Sequence, residues 1–100
     1  KLTYYNEHSQ IIDTKSENQK SDYNKSYIGI KVENNGGDYF IAFSKHQFDY
    51  NFKLPKAKDN KNWYIVFDTS NKDHKDFNLK EFFGLDYTLN PNSIVLFKEF

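Results

Sequence analysis

The chain has 100 residues, a single small domain that buries roughly 65% of its unfolded surface, which is enough for one core without staples. Fourteen Lys balance nine Asp and five Glu, and the zero formal net charge argues against a generic binder of nucleic acid or anionic membrane, which carries a basic excess. The absence of Cys removes disulfides, thiolate nucleophiles and Cys-ligated zinc together.

In chain order, Leu2-Thr3-Tyr4-Tyr5 reads as a short first strand, with Tyr4 and Tyr5 on opposite faces. Residues 13–26 (DTKSENQKSDYNKS) hold one aromatic and no aliphatic residue, so 1–26 reads as a lead-in segment and loop, and 27–100 as the body of the same domain. From Tyr27 to Glu33 the period is 2, with Ile28, Ile30 and Val32 on one face. Asn34-Asn35-Gly36-Gly37 is a hairpin signal, because Asn and Gly tolerate positive φ. The returning strand, Asp38 to Ser44, puts Tyr39, Ile41 and Phe43 on one side. Phe48, Tyr50, Phe52 and Leu54 alternate with Asp49, Asn51 and Lys53, and Pro55 ends that strand. Trp63 to Asp68 (WYIVFD) is almost wholly apolar and predicts a central strand covered on both faces, with Trp63, Ile65 and Phe67 sharing one of them. Phe77 to Leu85 predicts an irregular strand or turn interrupted at Gly84. Tyr87-Thr88-Leu89 and Ser93 to Phe100 predict two strands around the Asn90-Pro91-Asn92 turn. Seven or eight short strands at this spacing predict an all-β fold, an antiparallel β-sandwich with Greek-key-like connections.

Aromatics make up 19% of the chain, with ten Phe, eight Tyr and one Trp, too many for a disordered segment despite a mean hydropathy of −0.92. Twelve Asn and fourteen Lys beside the Phe/Tyr/Ile bias also fit an AT-rich genome. Without Arg the planar fork that recognises phosphate and carboxylate is missing. No apolar run approaches the ~20 residues of a membrane helix, and KLTYYNEHSQ is no signal-peptide h-region. Lacking an initiator Met, the chain reads as a processed protein or a piece of a longer one.

The search for chemistry yields no catalytic residue, no metal site and no cofactor. His8, His46 and His74 match no metal-ligand spacing and read as solvated loop residues. No Ser lies in Gly-x-Ser-x-Gly, and Gly36-Gly37 is followed by no Gly-Lys-Ser/Thr. Asp68, at the end of an apolar strand before Thr69-Ser70, reads as a turn residue bonding backbone N–H groups rather than as a general acid. Asp73, His74 and Asp76 read as a solvated loop, and the Asn24-Lys25-Ser26 sequon is discounted because the AT-rich composition suggests a bacterium. Trp63, Tyr64 or one of Tyr4 and Tyr5 offers rings for a sugar platform, but aromatics at alternating positions ordinarily fill a core, and no residue is assigned as a sugar contact.

Taken in succession, Gly37-Asp38-Tyr39-Phe40-Ile41-Ala42-Phe43-Ser44-Lys45-His46, Phe52-Lys53-Leu54-Pro55, Trp63-Tyr64-Ile65-Val66-Phe67-Asp68-Thr69-Ser70 and Tyr87-Thr88-Leu89-Asn90-Pro91-Asn92-Ser93-Ile94-Val95-Leu96 resemble the C-terminal β-domain of isoamylase and glycogen-debranching enzymes of the α-amylase superfamily. Leu2-Thr3-Tyr4-Tyr5-Asn6 is similar to the short segment after the last barrel helix in those enzymes. Ser44 stands where that family usually has Asn, and Asn92 where Arg is common. The resemblance implies a non-catalytic accessory domain of a cytoplasmic, bacterial glycoside hydrolase acting on α-1,6-glucan branch points. It also implies that the retaining carboxylate pair lies on a (β/α)8 barrel upstream, which does not fit into this chain. The partner is then that barrel, with α-glucan as a further ligand and neither nucleic acid nor membrane. Two other readings stand beside it, a carbohydrate-binding module for α-glucan and a free-standing β-protein with a protein partner.

Overall fold

The computed structural model describes residues 2–6, 8–12, 27–45, 49–70 and 79–100. They form eight strands and no helix: β1 (Leu2–Tyr5), β2 (Tyr27–Val32), β3 (Tyr39–Ser44), β4 (Tyr50–Lys53), β5 (Trp63–Asp68), β6 (Lys80–Phe82), β7 (Asp86–Leu89) and β8 (Ser93–Glu99). Six of them make one antiparallel sheet in the order β1-β2-β3-β8-β5-β6, and β4 pairs with β7 over one face of it. The chain passes to the small sheet and back twice, so the expected antiparallel sandwich is what the sequence builds.

The core lies between the sheets and is mostly aromatic. Tyr5, Tyr27, Phe40, Trp63, Val95 and Phe97 of the large sheet meet Phe52, Leu54 and Leu89 from the small one. Phe52 is the hub, with ring centroids 5.1 Å from Tyr27, 5.7 Å from Tyr87, 6.3 Å from Phe40 and 6.4 Å from Phe97. These tilted, stacked and edge-on contacts suit the ring quadrupoles. Gly29 sits inside a strand because the Phe40 ring lies over it: a Cβ there would come 2.5 Å from the Phe40 Cζ.

Corrections to the sequence reading concern faces and edges. Val32 pairs with Tyr39, Ile30 with Ile41 and Ile28 with Phe43. The apolar row read from the period is therefore the outer row of the large sheet, while Tyr27, Phe40 and Ala42 go inward. Strand β5 is not covered on both faces by the described strands. It lies second from the edge, between β8 and the three-residue β6. An irregularity between Ile65 and Phe67 in its pairing with β8 breaks the alternation. Phe67 consequently pairs with outward Leu96, and Asp68 opposite Val95 turns inward. Trp63 and Ile65 do share the core, but Phe67 does not join them.

The turns follow their chemistry. The Gly37 N–H donates to the Asn34 carbonyl at 3.1 Å, closing the hairpin. Gly37 has φ +120°, and a Cβ there would overlap the Glu99 carbonyl, so only glycine fits. Asn92 adopts φ 52°, a left-handed turn position that Asn tolerates better than a long side chain.

Candidate functional site

Three features of the described chain merit chemical scrutiny: the Asp68 turn, a buried carboxylate pair, and the outer face of the large sheet. Asp68 takes the turn role that its position before Thr69-Ser70 predicts. Its Oδ1 accepts from the Ser70 N–H at 2.9 Å and the Ser70 hydroxyl at 2.8 Å. The Ile94 N–H donates to Thr69 Oγ1 at 3.0 Å. The sequence did not point to Tyr87, whose hydroxyl donates to Asp68 Oδ2 at 2.5 Å. Burial first, and then this bond and the Asp68 charge, push the Tyr87 phenol well above its ordinary range. Asp68 is thus committed to neighbours on every side and holds β5, β7 and the following turn together.

The second feature is a pair of carboxylates, Asp38 and Glu99, both at 0% exposure. They meet where the β2–β3 hairpin, the end of β8 and the loop 54–62 converge. The Asp38 N–H donates to Glu99 Oε1 at 3.2 Å, and the Glu99 N–H to the Asp38 carbonyl at 2.8 Å. Glu99 Oε2 accepts from the Lys58 N–H at 2.9 Å. Asp38 Oδ1 accepts from the Asn34 N–H at 3.0 Å and from Lys58 Nζ at 3.2 Å. Lys31 Nζ stands 3.6 Å from Asp38 Oδ2. Burial by itself raises the Asp38 pKa, but the Asn34 bond, the Lys58 bond and charge, and Lys31 together outweigh it and hold it below the ordinary carboxylate value. The same contact raises the Lys58 pKa. Neighbours pair or bond the carboxylates, as buried charge requires, and the arrangement is a tie between three segments.

The third feature is the outer face. Ile28 and Ile30 of β2, Tyr39, Ile41 and Phe43 of β3, and Ile94 and Leu96 of β8 form adjoining cross-strand rows. They are half-buried, and no described strand lies over them. At one end Lys98 Nζ bonds the Tyr39 hydroxyl at 3.0 Å and lies 4.2 Å from that ring's centroid, a cation–π contact.

The remaining sequence candidates are placed as follows. Trp63 is 2% exposed and fills the core, its indole N–H donating to the Pro55 carbonyl at 2.8 Å. Tyr5 is buried and Tyr4 faces the other way, as their alternation predicts. Tyr64 lies on the outer side, edge-on to Phe100 at 5.2 Å. No two of these rings make a common sugar platform. His8 is exposed, while His46, His74, Asp73, Asp76, Phe48 and the Asn24-Lys25-Ser26 sequon lie outside the described residues. Among the described residues no group of three His, Asp or Glu is placed to hold a metal ion. Of the features that the sequence reading missed, Glu99 had a legible signal: in β8 it falls on the same alternation as Val95 and Phe97, which puts a carboxylate on the core face.

No protein-family model matches the chain, and no curated protein matches it.

Proposed function

We propose that this chain is a non-catalytic accessory β-sandwich that seats its large sheet on a bigger protein surface, and that this surface is the catalytic (β/α)8 barrel of a bacterial α-1,6-glucan debranching enzyme. The observation that carries the packing role is the outer face of the six-stranded sheet. Antiparallel sheets with one face on a core ordinarily turn polar residues to water on the other. Here both faces of β2, β3 and β8 carry apolar rows, and the outer rows are only half-buried. A contiguous apolar face of this kind is what an interdomain contact covers. The barrel is the partner favoured by the resemblance carried by Asp38–Ser44, Phe52–Pro55, Trp63–Ser70 and Tyr87–Leu96. Commitment of Asp68, Asp38 and Glu99 to structural bonds is in keeping with an accessory role.

Reading the gene around Lys1 tests the proposal. The expected result is an open frame encoding, upstream, alternating strands and helices of a barrel with two carboxylates at strand C-terminal ends. A start codon at or near Lys1, with no barrel before it, overturns the barrel assignment.

A further inference from the structure

A groove on the flank of the sandwich is carried by a different set of residues. The loop 56–62 and the β6–β7 turn enclose about 390 Å³, with Trp63 and Phe82 at its base. That volume is within the range of small-molecule sites, roughly 300–1,000 Å³. Phe83 lines it and is 78% exposed, the most exposed of the large apolar side chains among the described residues.

The loop wall is fixed from behind. The Lys58 N–H is held by Glu99 at 2.9 Å and Lys58 Nζ by Asp38 at 3.2 Å. Asn62 exchanges two backbone hydrogen bonds with Phe100, at 2.9 and 3.0 Å, and its amide donates to Glu81 at 2.6 Å. A turn bond from the Lys61 N–H to the Lys58 carbonyl, 3.0 Å, shapes the tip, where Asn60 takes φ 64°. Every one of these ties is spent on the back of the loop. The side chains of Asp59, Asn60 and Lys61 are exposed at the groove, with no hydrogen-bond partner among the described residues. One carboxylate, one amide and one ammonium thus share the groove's lining with an exposed ring, on a loop whose backbone is tied down, and preorganisation lowers the cost of binding.

We propose that this groove is a saccharide subsite, in which a pyranose lays its C–H face on Phe83 and turns its hydroxyl edge to Asp59, Asn60 and Lys61. The chemistry of the walls selects this class. Asp59 offsets Lys61 and Lys58 is already paired with Asp38, so of the lining charges only the exposed Lys56 is left unbalanced. A sugar combines an apolar face with hydroxyls that both donate and accept, which matches a ring beside a mixed donor and acceptor rim. The subsite is independent of the outer sheet face and does not rest on the barrel.

The test is an amide chemical-shift titration of the isotopically labelled chain with maltotetraose, with cellotetraose and with a hexaglutamate peptide. Saturable shifts confined to the amides of residues 59–62 and 83–85 are expected with at least one tetrasaccharide, half-saturating on the order of 1 mM. Phe83→Ala weakens that binding at least tenfold, and Phe83→Tyr retains it. Both changes lie on an exposed side chain, so the fold is left intact and the comparison is of folded chains. Absence of saturable shifts with either sugar up to about 50 mM, equal binding by Phe83→Ala, or saturation by the peptide instead would each overturn the proposal.

Discussion

Glu99→Gln is the most informative single change in the fold. Both carboxylate oxygens of Glu99 accept from backbone N–H groups, Oε1 from Asp38 at 3.2 Å and Oε2 from Lys58 at 2.9 Å. Glutamine keeps the shape but offers one acceptor oxygen, and its NH2 must then face one of the two N–H donors. A buried donor left without an acceptor costs about 1–3 kcal/mol, and the surviving bond loses its charge assistance, roughly another 1 kcal/mol. Removing a buried charge returns part of this, so the net expectation is a destabilisation of about 2–3 kcal/mol. For a domain of this size that lowers Tm by roughly 10–20 °C. Urea and thermal unfolding followed by circular dichroism measure it, with Glu33→Gln as the exposed control, expected within about 0.5 kcal/mol of the parent chain. If Glu99→Gln falls within that same margin, the carboxylate is not the tie described and the reasoning fails.

Other expectations concern the core and the alkaline limit. Phe52→Ala empties the hub between the two sheets, where Phe52 is 1% exposed, and should cost about 3–5 kcal/mol in a urea unfolding experiment; less than 1 kcal/mol would mean that the small sheet is not packed through this ring. Tyr87 has a raised pKa in the folded chain, so the folded state holds a proton that the unfolded state releases above about pH 10. Its contribution is fully present below that pH and fades as pH rises further. Unfolding midpoints measured from about pH 8 to 11 should show the gap between the parent chain and Tyr87→Phe narrowing with pH; a widening gap would contradict the sign.

The strands were legible because turn residues punctuate them. Asn34–Gly37, Pro55, Gly84 and Asn90–Asn92 each stand between strands in the structure. What alternation could not say is which face is inward when both are apolar. In β2 and β3 the isoleucine row was the obvious one, yet the core takes Tyr27, Phe40 and Ala42, because the small sheet supplies Phe52 and Leu54 over that side. The small sheet's position is a long-range fact, absent from any local window. The bulge after Ile65 is similarly invisible in WYIVFD, and it alone decides that Phe67 faces out and Asp68 in. As for sites, the Asp68 turn was readable from Asp-Thr-Ser, whereas the Asp38–Glu99 junction joins residues 61 positions apart. The groove at Phe83 went unread because attention to Trp and Tyr rings passes over a phenylalanine beside an exposed Gly84 turn.

Those unmatched faces also define the central question, which is what covers the outer rows of the large sheet. Hydroxyl-radical side-chain footprinting of the 100-residue chain, compared with the polypeptide of its complete reading frame, addresses it most directly. The account predicts that Tyr39, Ile41, Phe43 and Leu96 react readily in the isolated chain and lose most of that reactivity in the complete polypeptide. Equal reactivity of these four residues in both would contradict it.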